Sequence, residues 1–205
     1  MTPYLHILTT EGASSSEIQT YLHHDKTFGH VKAQKILHLV EAEADFDLGR
    51  TPIKDAAGPN DFPHMLAAEE WAEARKHFRF PRKSGGGYQF VTMANYDELL
   101  DSARLIEPAK REKIERIIDL FVPMDMQEAE LFATVYAAWN NLLLEGHSPT
   151  GEDIVRAARE NWHEKKSTIP RHKFFEALRL LRDKDCKPAG RGRKVESSPQ
   201  GSLFA

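Results

Sequence analysis

The stretch from Phe28 to Met65 restricts the fold more than any other part of this 205-residue chain. Apolar residues recur in its first half at i, i+3, i+4, i+7 and i+11, which predicts one buried face of a helix. They are Ala33, Ile36, Leu37, Val40 and Ala44, whereas Lys32, Lys35, Glu41 and Glu43 lie mostly off this face. Pro52 and the run Ala57–Asp61 then predict a loop, with a new helix from about Pro63. On pattern alone the stretch is a core helix followed by a connecting loop.

Composition places the chain among ordinary soluble globular proteins, with 40% hydrophobic and 29% charged residues. No window approaches 18 uninterrupted apolar residues, so no membrane-spanning helix is predicted. The first residues lack the basic start of a signal peptide, and we expect the bacterial cytoplasm as the compartment. The single cysteine, Cys186, excludes an internal disulfide and a cysteine-based zinc site.

Helix signals recur along the rest of the chain, and one segment changes to a strand pattern. Asp125 with Glu128, and Thr150 with Asp153, have the spacing of capping boxes at two helix starts. The run Phe78–Met93, interrupted by Ser84–Gly87, predicts a β-hairpin. The predicted helices are Met1–Thr10, a short one after Ser14–Ser16, Met65–His77, Tyr96–Leu105, Pro108–Phe121, Asp125–Glu145, Gly151–Trp162 and one that starts near Pro170.

We therefore predict a mostly α-helical protein with one small β-hairpin. Residues 1–122 are predicted to form a helical domain that contains the hairpin, and residues 123–194 a three-helix domain of helix-turn-helix type with a basic end. Residues 195–205 are predicted to be disordered. An apolar stripe is predicted to form the core of the second domain: Phe132, Val135, Tyr136, Trp139, Leu142 and Leu143.

Charge is distributed unevenly along the chain. The net charge is −3, yet residues 163–194 hold eleven Lys and Arg residues against four acids. An acidic body with a basic end is expected of a protein that binds nucleic acid at that end. The same charge distribution is also expected of a protein whose acidic body docks on a basic partner protein.

Seven basic residues are the predicted contacts to DNA phosphates: Lys165, Lys166, Arg171, Lys173, Arg191, Arg193 and Lys194. Neutralising Arg191, Arg193 and Lys194 together is expected to reduce the slope of log K against log salt by up to about 2.7. Arg171 and Lys173, at the start of the third helix, are the better candidates for base edges.

Two stretches resemble known families. The run FGHVKAQKILHLVEAE, followed by DLGRTPIKDAAGPNDF, resembles the Lys-x-Gln-Lys helix and Gly-Pro turn of Panacea-type antitoxin domains. The same segment, residues 28–65, also resembles accessory or C-terminal regions of type I restriction–modification specificity subunits. Residues 131–195 are similar to a tail in that group of proteins. The resemblance implies a phage-defence context, with methyltransferase or restriction subunits as partners.

Metal binding has little support in the pattern. His23 and His24 are adjacent and would point apart on a helix. His30 and His38 are two helical turns apart and could share a face, but no third ligand follows at helical spacing. We predict no metal site and no cofactor.

A catalytic site is not predicted either. The nearest approach to a metal-dependent nuclease is Asp61 followed by Glu73 and Lys76, but the spacing is Glu-x-x-Lys and falls in a helix. The glycines at 85–87 are not followed by the Gly-Lys-Ser/Thr of a phosphate-binding loop. The sequence therefore predicts a non-catalytic DNA-binding accessory module, with a protein–protein adaptor or antitoxin-like module as the alternative.

Overall fold

The computed structural model describes residues 29–82, 84–86 and 88–197. The two short helices predicted before residue 29 lie outside the described residues. The helices are α1 His30–Glu43, α2 Phe62–Ala74, α3 Tyr96–Arg104, α4 Pro108–Phe121, α5 Met126–Leu144, α6 Gly151–Arg159, α7 Glu164–Ser167 and α8 Arg171–Asp183. The strands are β1 Ile53–Asp55, β2 Gly58–Asn60, β3 Phe78–Arg79, β4 Val91–Thr92 and β5 Glu196–Ser197.

The prediction of a mostly helical protein is confirmed, and the predicted caps explain where two helices begin. Asp125 accepts from the backbone N–H of Glu128, whose side chain accepts in return from the N–H of Asp125. Thr150 and Asp153 form the same reciprocal pair at the start of α6. Such boxes satisfy backbone donors that the first turn of a helix leaves unpaired.

Helix α1 occupies the middle of the molecule and is buried on every side. It packs on α4, α5 and β2, so the polar positions off the predicted apolar face are also enclosed. Lys32, Lys35 and Glu41 are each at most 5% exposed. The sequence pattern identified the apolar face correctly, but it gave no sign that the opposite face is covered as well.

A three-stranded sheet, in the order β2-β1-β5, was not predicted. β1 pairs antiparallel with β2 and parallel with β5. Glycine is required at position 58, where φ is +93° and an added Cβ would lie 2.7 Å from the Thr134 hydroxyl oxygen. The sequence predicts a loop at β1 and β2 because these strands are three residues long and β2 contains glycine and proline, which are depleted in strands.

The predicted β-hairpin is confirmed. β3 and β4 pair antiparallel with Phe78 opposite Thr92. The hairpin, α2 and α3 enclose a small second core, in which the ring centroids of Phe78 and Phe90 stack at 4.9 Å. This aromatic unit is separate from the larger core.

The larger core joins residues from both sides of the boundary that was predicted at residue 122. It includes Leu37 and Val40 of α1 together with Phe132 of α5 and Leu178 of α8. The two predicted domains therefore share one core. Of the predicted stripe on α5, Phe132, Val135 and Tyr136 are buried, whereas Trp139, Leu142 and Leu143 are half-buried.

Helices α5, α6 and α8 pack on one another, as in a three-helix unit. The connection between α6 and α8 runs from residue 160 to 170 and contains the single-turn helix α7. A helix-turn-helix motif has a turn of about three or four residues. The predicted resemblance to that motif is therefore limited to the order and packing of the helices.

The prediction of disorder from residue 195 is wrong for the first three residues. Val195 is fully buried, and Glu196–Ser197 forms β5. The remainder, 198–205, lies outside the described residues. None of the helices within the described ranges combines the length and apolarity needed to cross a bilayer.

Candidate functional site

Two of the seven predicted phosphate contacts, Lys173 and Arg191, lie towards opposite ends of α5. Lys173 lines the same surface cleft as Glu128 at the start of α5. The backbone of Arg191 is held by Asn140, near the other end of α5. Asn140 is twelve positions after Glu128 in α5, which corresponds to a rise of about 18 Å along the helix axis. The predicted contacts are therefore spread along the length of α5 and are not gathered at one point.

Lys166 must be removed from the predicted set. Its side chain is fully buried, and its ammonium group donates to the Glu130 carboxylate. Burial lowers the pKa of Lys166, and Glu130 opposes this effect. A phosphate cannot reach a group with no accessible surface, so this lysine belongs to the interior.

Two more predicted residues are paired with acids near the start of α8. Arg171 lies 2.8 Å from the Glu152 carboxylate and 3.4 Å from that of Glu160. Lys173 lies 2.9 Å from Glu176, one turn along the same helix. Both pairs are on the surface, where such pairs contribute little and can exchange partners.

Arg193 and Lys194 are paired as well, here with acids of the body. Arg193 Nη2 donates to both oxygens of Asp47, at 2.8 and 2.9 Å. This pairing lowers the pKa of Asp47. Lys194 lies 3.1 Å from Glu145. Much of the charge imbalance in the sequence is thus satisfied within the chain, because the basic end docks on its own acidic body.

A different group of cations remains available at the end of α8. Each of its members is exposed, and none forms an ion pair with an acid of the described chain. Two exposed acids, Asp183 and Asp185, lie among them in the sequence. We call this group the α8-end patch; it consists of Arg179, Arg182, Lys184, Lys187 and Arg191.

Only Arg191 of the patch was among the predicted contacts. Arg179 and Arg182 could have been chosen from the helical period, since the pattern of α8 already placed them on its outer face. Arg182 also lies over the Trp139 ring, 5.8 Å from its centroid. Which cations would be paired with acids could not be read from the sequence, because the acids come from distant elements.

Two asparagines hold the segment that carries Arg191. The Asn140 amide donates to the Arg191 carbonyl at 2.7 Å and accepts from the Gly190 N–H at 3.1 Å. Asn141 binds both the N–H and the carbonyl of Val195, at 2.9 and 2.8 Å. These amides fix the segment against α5, so the position of Arg191 does not depend on its own side chain.

The Lys-x-Gln-Lys residues of α1 make internal contacts. Lys35 Nζ donates to the Pro59 carbonyl at 2.8 Å. Gln34 Oε1 accepts from the Asp61 N–H at 3.0 Å and from Arg50 Nη2 at 3.2 Å. These bonds connect the helix to the Gly-Pro turn, which explains why the two features occur together in the sequence.

Three buried titratable groups surround these bonds. Arg50 and Glu41 form an ion pair at 2.9 Å, with side chains at most 1% exposed. Burial raises the pKa of Glu41, and Arg50 opposes that shift. Burial also lowers the pKa of His38 well below its usual value. With no accessible surface, this cluster has a structural role.

The residues weighed for metal or nuclease chemistry are placed elsewhere. Asp61 caps α2 by accepting from the His64 N–H at 3.1 Å, and His38 is enclosed by the core. His30 is largely buried against the Tyr88 ring, with Nε2 3.0 Å from the Glu69 carboxylate. Within the described residues, no group of three or more His, Cys, Asp or Glu side chains could hold a metal ion. Burial raises the pKa of Cys186 to about 12, which leaves an unreactive thiol.

No protein-family model matches the chain, and no curated protein matches it.

Proposed function

We propose that this chain is a non-catalytic DNA-binding accessory module of a bacterial restriction–modification or related phage-defence system, acting in the cytoplasm. The observation that carries the proposal is the α8-end patch, where five exposed cations have no ion-pair partner among the described acids. The resemblance of residues 28–65 and 131–195 to restriction–modification proteins supports the context. Methyltransferase or restriction subunits are the proposed protein partners.

The patch suits the DNA backbone better than the base edges. Arg179 and Arg182 are one turn apart on α8, and Lys187 and Arg191 follow on the segment that Asn140 holds. Cations spread over a helix end and an extended segment can each approach a phosphate. Phosphate contacts position a protein on duplex DNA without reading its sequence. We therefore expect binding to all duplexes alike.

A salt titration tests the proposal. Binding of a labelled duplex is measured by fluorescence anisotropy at increasing salt, for the unmodified chain and for the double variant Lys187→Gln/Arg191→Gln. Each lost phosphate contact reduces the slope of log K against log salt by about 0.9, so the double variant should lose about 1.8. Lys173→Gln is the matched control, since it also removes an exposed lysine of the basic end, and its slope should not change.

The α8-end patch also changes what we expect of the triple substitution that the sequence suggests. Of the triple substitution at 191, 193 and 194, only Arg191 belongs to the patch, so the slope should fall by about 0.9 and not by about 2.7. Absence of duplex binding by the unmodified chain at low salt contradicts the proposal. An equal loss of slope in Lys173→Gln would show that the patch is misplaced.

The adaptor function is supported by a separate observation. Met126 is 61% exposed and Val122 is 42% exposed, four residues apart at the turn between α4 and α5. Large apolar side chains that are exposed together can mark a protein-binding surface. If the adaptor function holds, Val122→Ser/Met126→Ser should abolish capture of a type I methyltransferase subunit while the melting temperature stays unchanged. Capture that survives the double substitution contradicts it.

A further inference from the structure

A cleft of about 630 Å³ lies where the end of α2 meets the start of α3. This volume is within the range of sites that enclose small molecules. The elements that form it carry none of the residues of the α8-end patch. Its lining combines aromatic rings, two cations and one carboxylate: Trp71, Arg75, Lys76, His77, Asn95 and Glu98.

Two of the lining side chains have polar atoms without a partner. The indole N–H of Trp71 and Nδ1 of His77 are buried and make no hydrogen bond to any described group. His77 is only 7% exposed. Buried polar atoms in native proteins nearly always have a partner. Unlike the unpaired atoms of His38, Glu41 and Arg50 in the interior, these two belong to residues that line a cleft open to solvent, where a ligand could supply the partner.

The two cations are not paired with an acid of the described chain. The Arg75 guanidinium lies over the Trp71 ring, 4.3 Å from its centroid. Lys76 follows the end of α2 in the left-handed conformation, with φ at +59°. Glycine adopts this conformation at lower cost than lysine. Lysine at this position therefore has a backbone cost, which a ligand contact of its side chain would offset.

We propose that this cleft binds a nucleoside phosphate, with the phosphate at Arg75 and Lys76 and the base hydrogen-bonded to the Trp71 indole N–H and to His77 Nδ1. Glu98, 73% exposed and 4.0 Å from His77 Nε2, can accept from a sugar hydroxyl or a base amino group. The ligand is a free nucleotide or an unpaired nucleotide of a nucleic-acid strand, since both present the same groups.

Titration calorimetry with adenosine 5′-monophosphate tests this inference, with adenosine and inorganic phosphate as matched partial ligands. We expect the nucleotide to bind at least about tenfold more tightly than either part, because each part lacks one set of contacts. A short single-stranded oligodeoxynucleotide forms the second arm. Tighter binding of the oligonucleotide than of the mononucleotide identifies a strand as the source.

Lys76→Gly separates a binding role from a structural one. Glycine relieves the left-handed backbone, so the variant should melt at a higher temperature while its affinity for the nucleotide falls about tenfold. Asp45→Gly is the control, since Asp45 has the same backbone conformation after α1, with φ at +56°. It should also raise the melting temperature but leave nucleotide affinity unchanged.

Three results overturn the inference. They are no binding of the nucleotide or the oligonucleotide, equal binding of the nucleotide and its parts, or unchanged nucleotide affinity in Lys76→Gly. Oligonucleotide binding that depends on Arg191 and not on Lys76 also counts against it, and assigns that binding to the α8-end patch. The proposed DNA function is judged by the duplex titration, so the two proposals can fail separately.

Discussion

Ion pairs in the interior and on the basic end of this protein have the same chemistry but different surroundings. Glu41 of α1 and Arg50 form a buried pair at 2.9 Å, whereas Arg193 and Asp47 lie 2.8 Å apart with side chains at least half exposed. A buried pair whose partner is lost leaves an uncompensated charge, whereas an exposed pair is replaced by water. The contribution of an ion pair to the stability of this fold is therefore set by its burial, and not by the number of charges.

Arg50→Met should have the largest effect. It leaves Glu41 buried without its partner, and we expect the free energy of unfolding to fall by about 3–5 kcal/mol in chemical denaturation. The loss should be smaller at pH 5 than at pH 8, because a protonated Glu41 carries no charge. A variant that keeps its stability at both pH values would contradict the account of a buried pair.

Lys166→Met is expected to have an intermediate effect. Its partner Glu130 has a side chain 22% exposed, so water can reach the carboxylate once the lysine is gone. We expect a loss of about 1–3 kcal/mol by the same measurement. Lys165→Met, at the exposed neighbouring position, should stay within about 0.5 kcal/mol. Equal losses of stability in Lys166→Met and Lys165→Met would show that the buried pair contributes no more than an exposed lysine.

The buried Lys35 predicts a pH dependence. Burial lowers the pKa of Lys35 to about 7, whereas an unfolded lysine keeps its proton up to about pH 10.4. Between these values the unfolded state binds more protons, so stability rises with pH, by at most about 1.4 kcal/mol per unit. Below about pH 7 both states hold the proton and the penalty is fully present.

Comparison with Lys35→Met isolates this contribution. The rise in stability from pH 7 to 8.5 should be smaller in the variant than in the unmodified chain, as measured by chemical denaturation. Measurements above pH 9 are less suitable, because the raised pKa of Cys186 then acts in the opposite direction. Parallel pH profiles for the two proteins would show that Lys35 is charged in the fold.

Arg193→Gln should have the smallest effect. The pair with Asp47 is exposed, and its loss should cost no more than about 1 kcal/mol. The difference from the unmodified chain should shrink in high salt, since salt screens exposed charges. A loss as large as that of Arg50→Met would mean that the C-terminal segment is held chiefly by this pair.

Local patterns predicted the helices well, because their signals are contained in neighbouring residues. The capping boxes at Asp125 and Thr150 and the limits of α4 at Pro108 and Phe121 need no distant contact. Interactions between distant residues were not predictable in this way. The burial of Lys166 depends on Glu130, and the pairing of Arg193 depends on Asp47.

The candidate site shows the same limit. The basic end was recognised from composition, but the sequence could not show which cations the body already binds. The expectation that Trp139 lies in the core also changes, since it is half-buried beneath Arg182. Replacement of Trp139 by alanine should therefore cost less than the 3–5 kcal/mol that applies to a fully buried aromatic residue.

The parallel pairing of β1 with β5 has a consequence for synthesis on the ribosome. Ile53 lies opposite Glu196, so this edge of the sheet can close only after nearly the whole described chain has been made. Domains begin to fold while their C-terminal part is still being added. Until β5 arrives, the backbone groups of β1 on that side are unpaired and can pair with another nascent chain. Residues 196–197, which are made more than 130 residues after β1, are therefore those that protect this edge from misassembly.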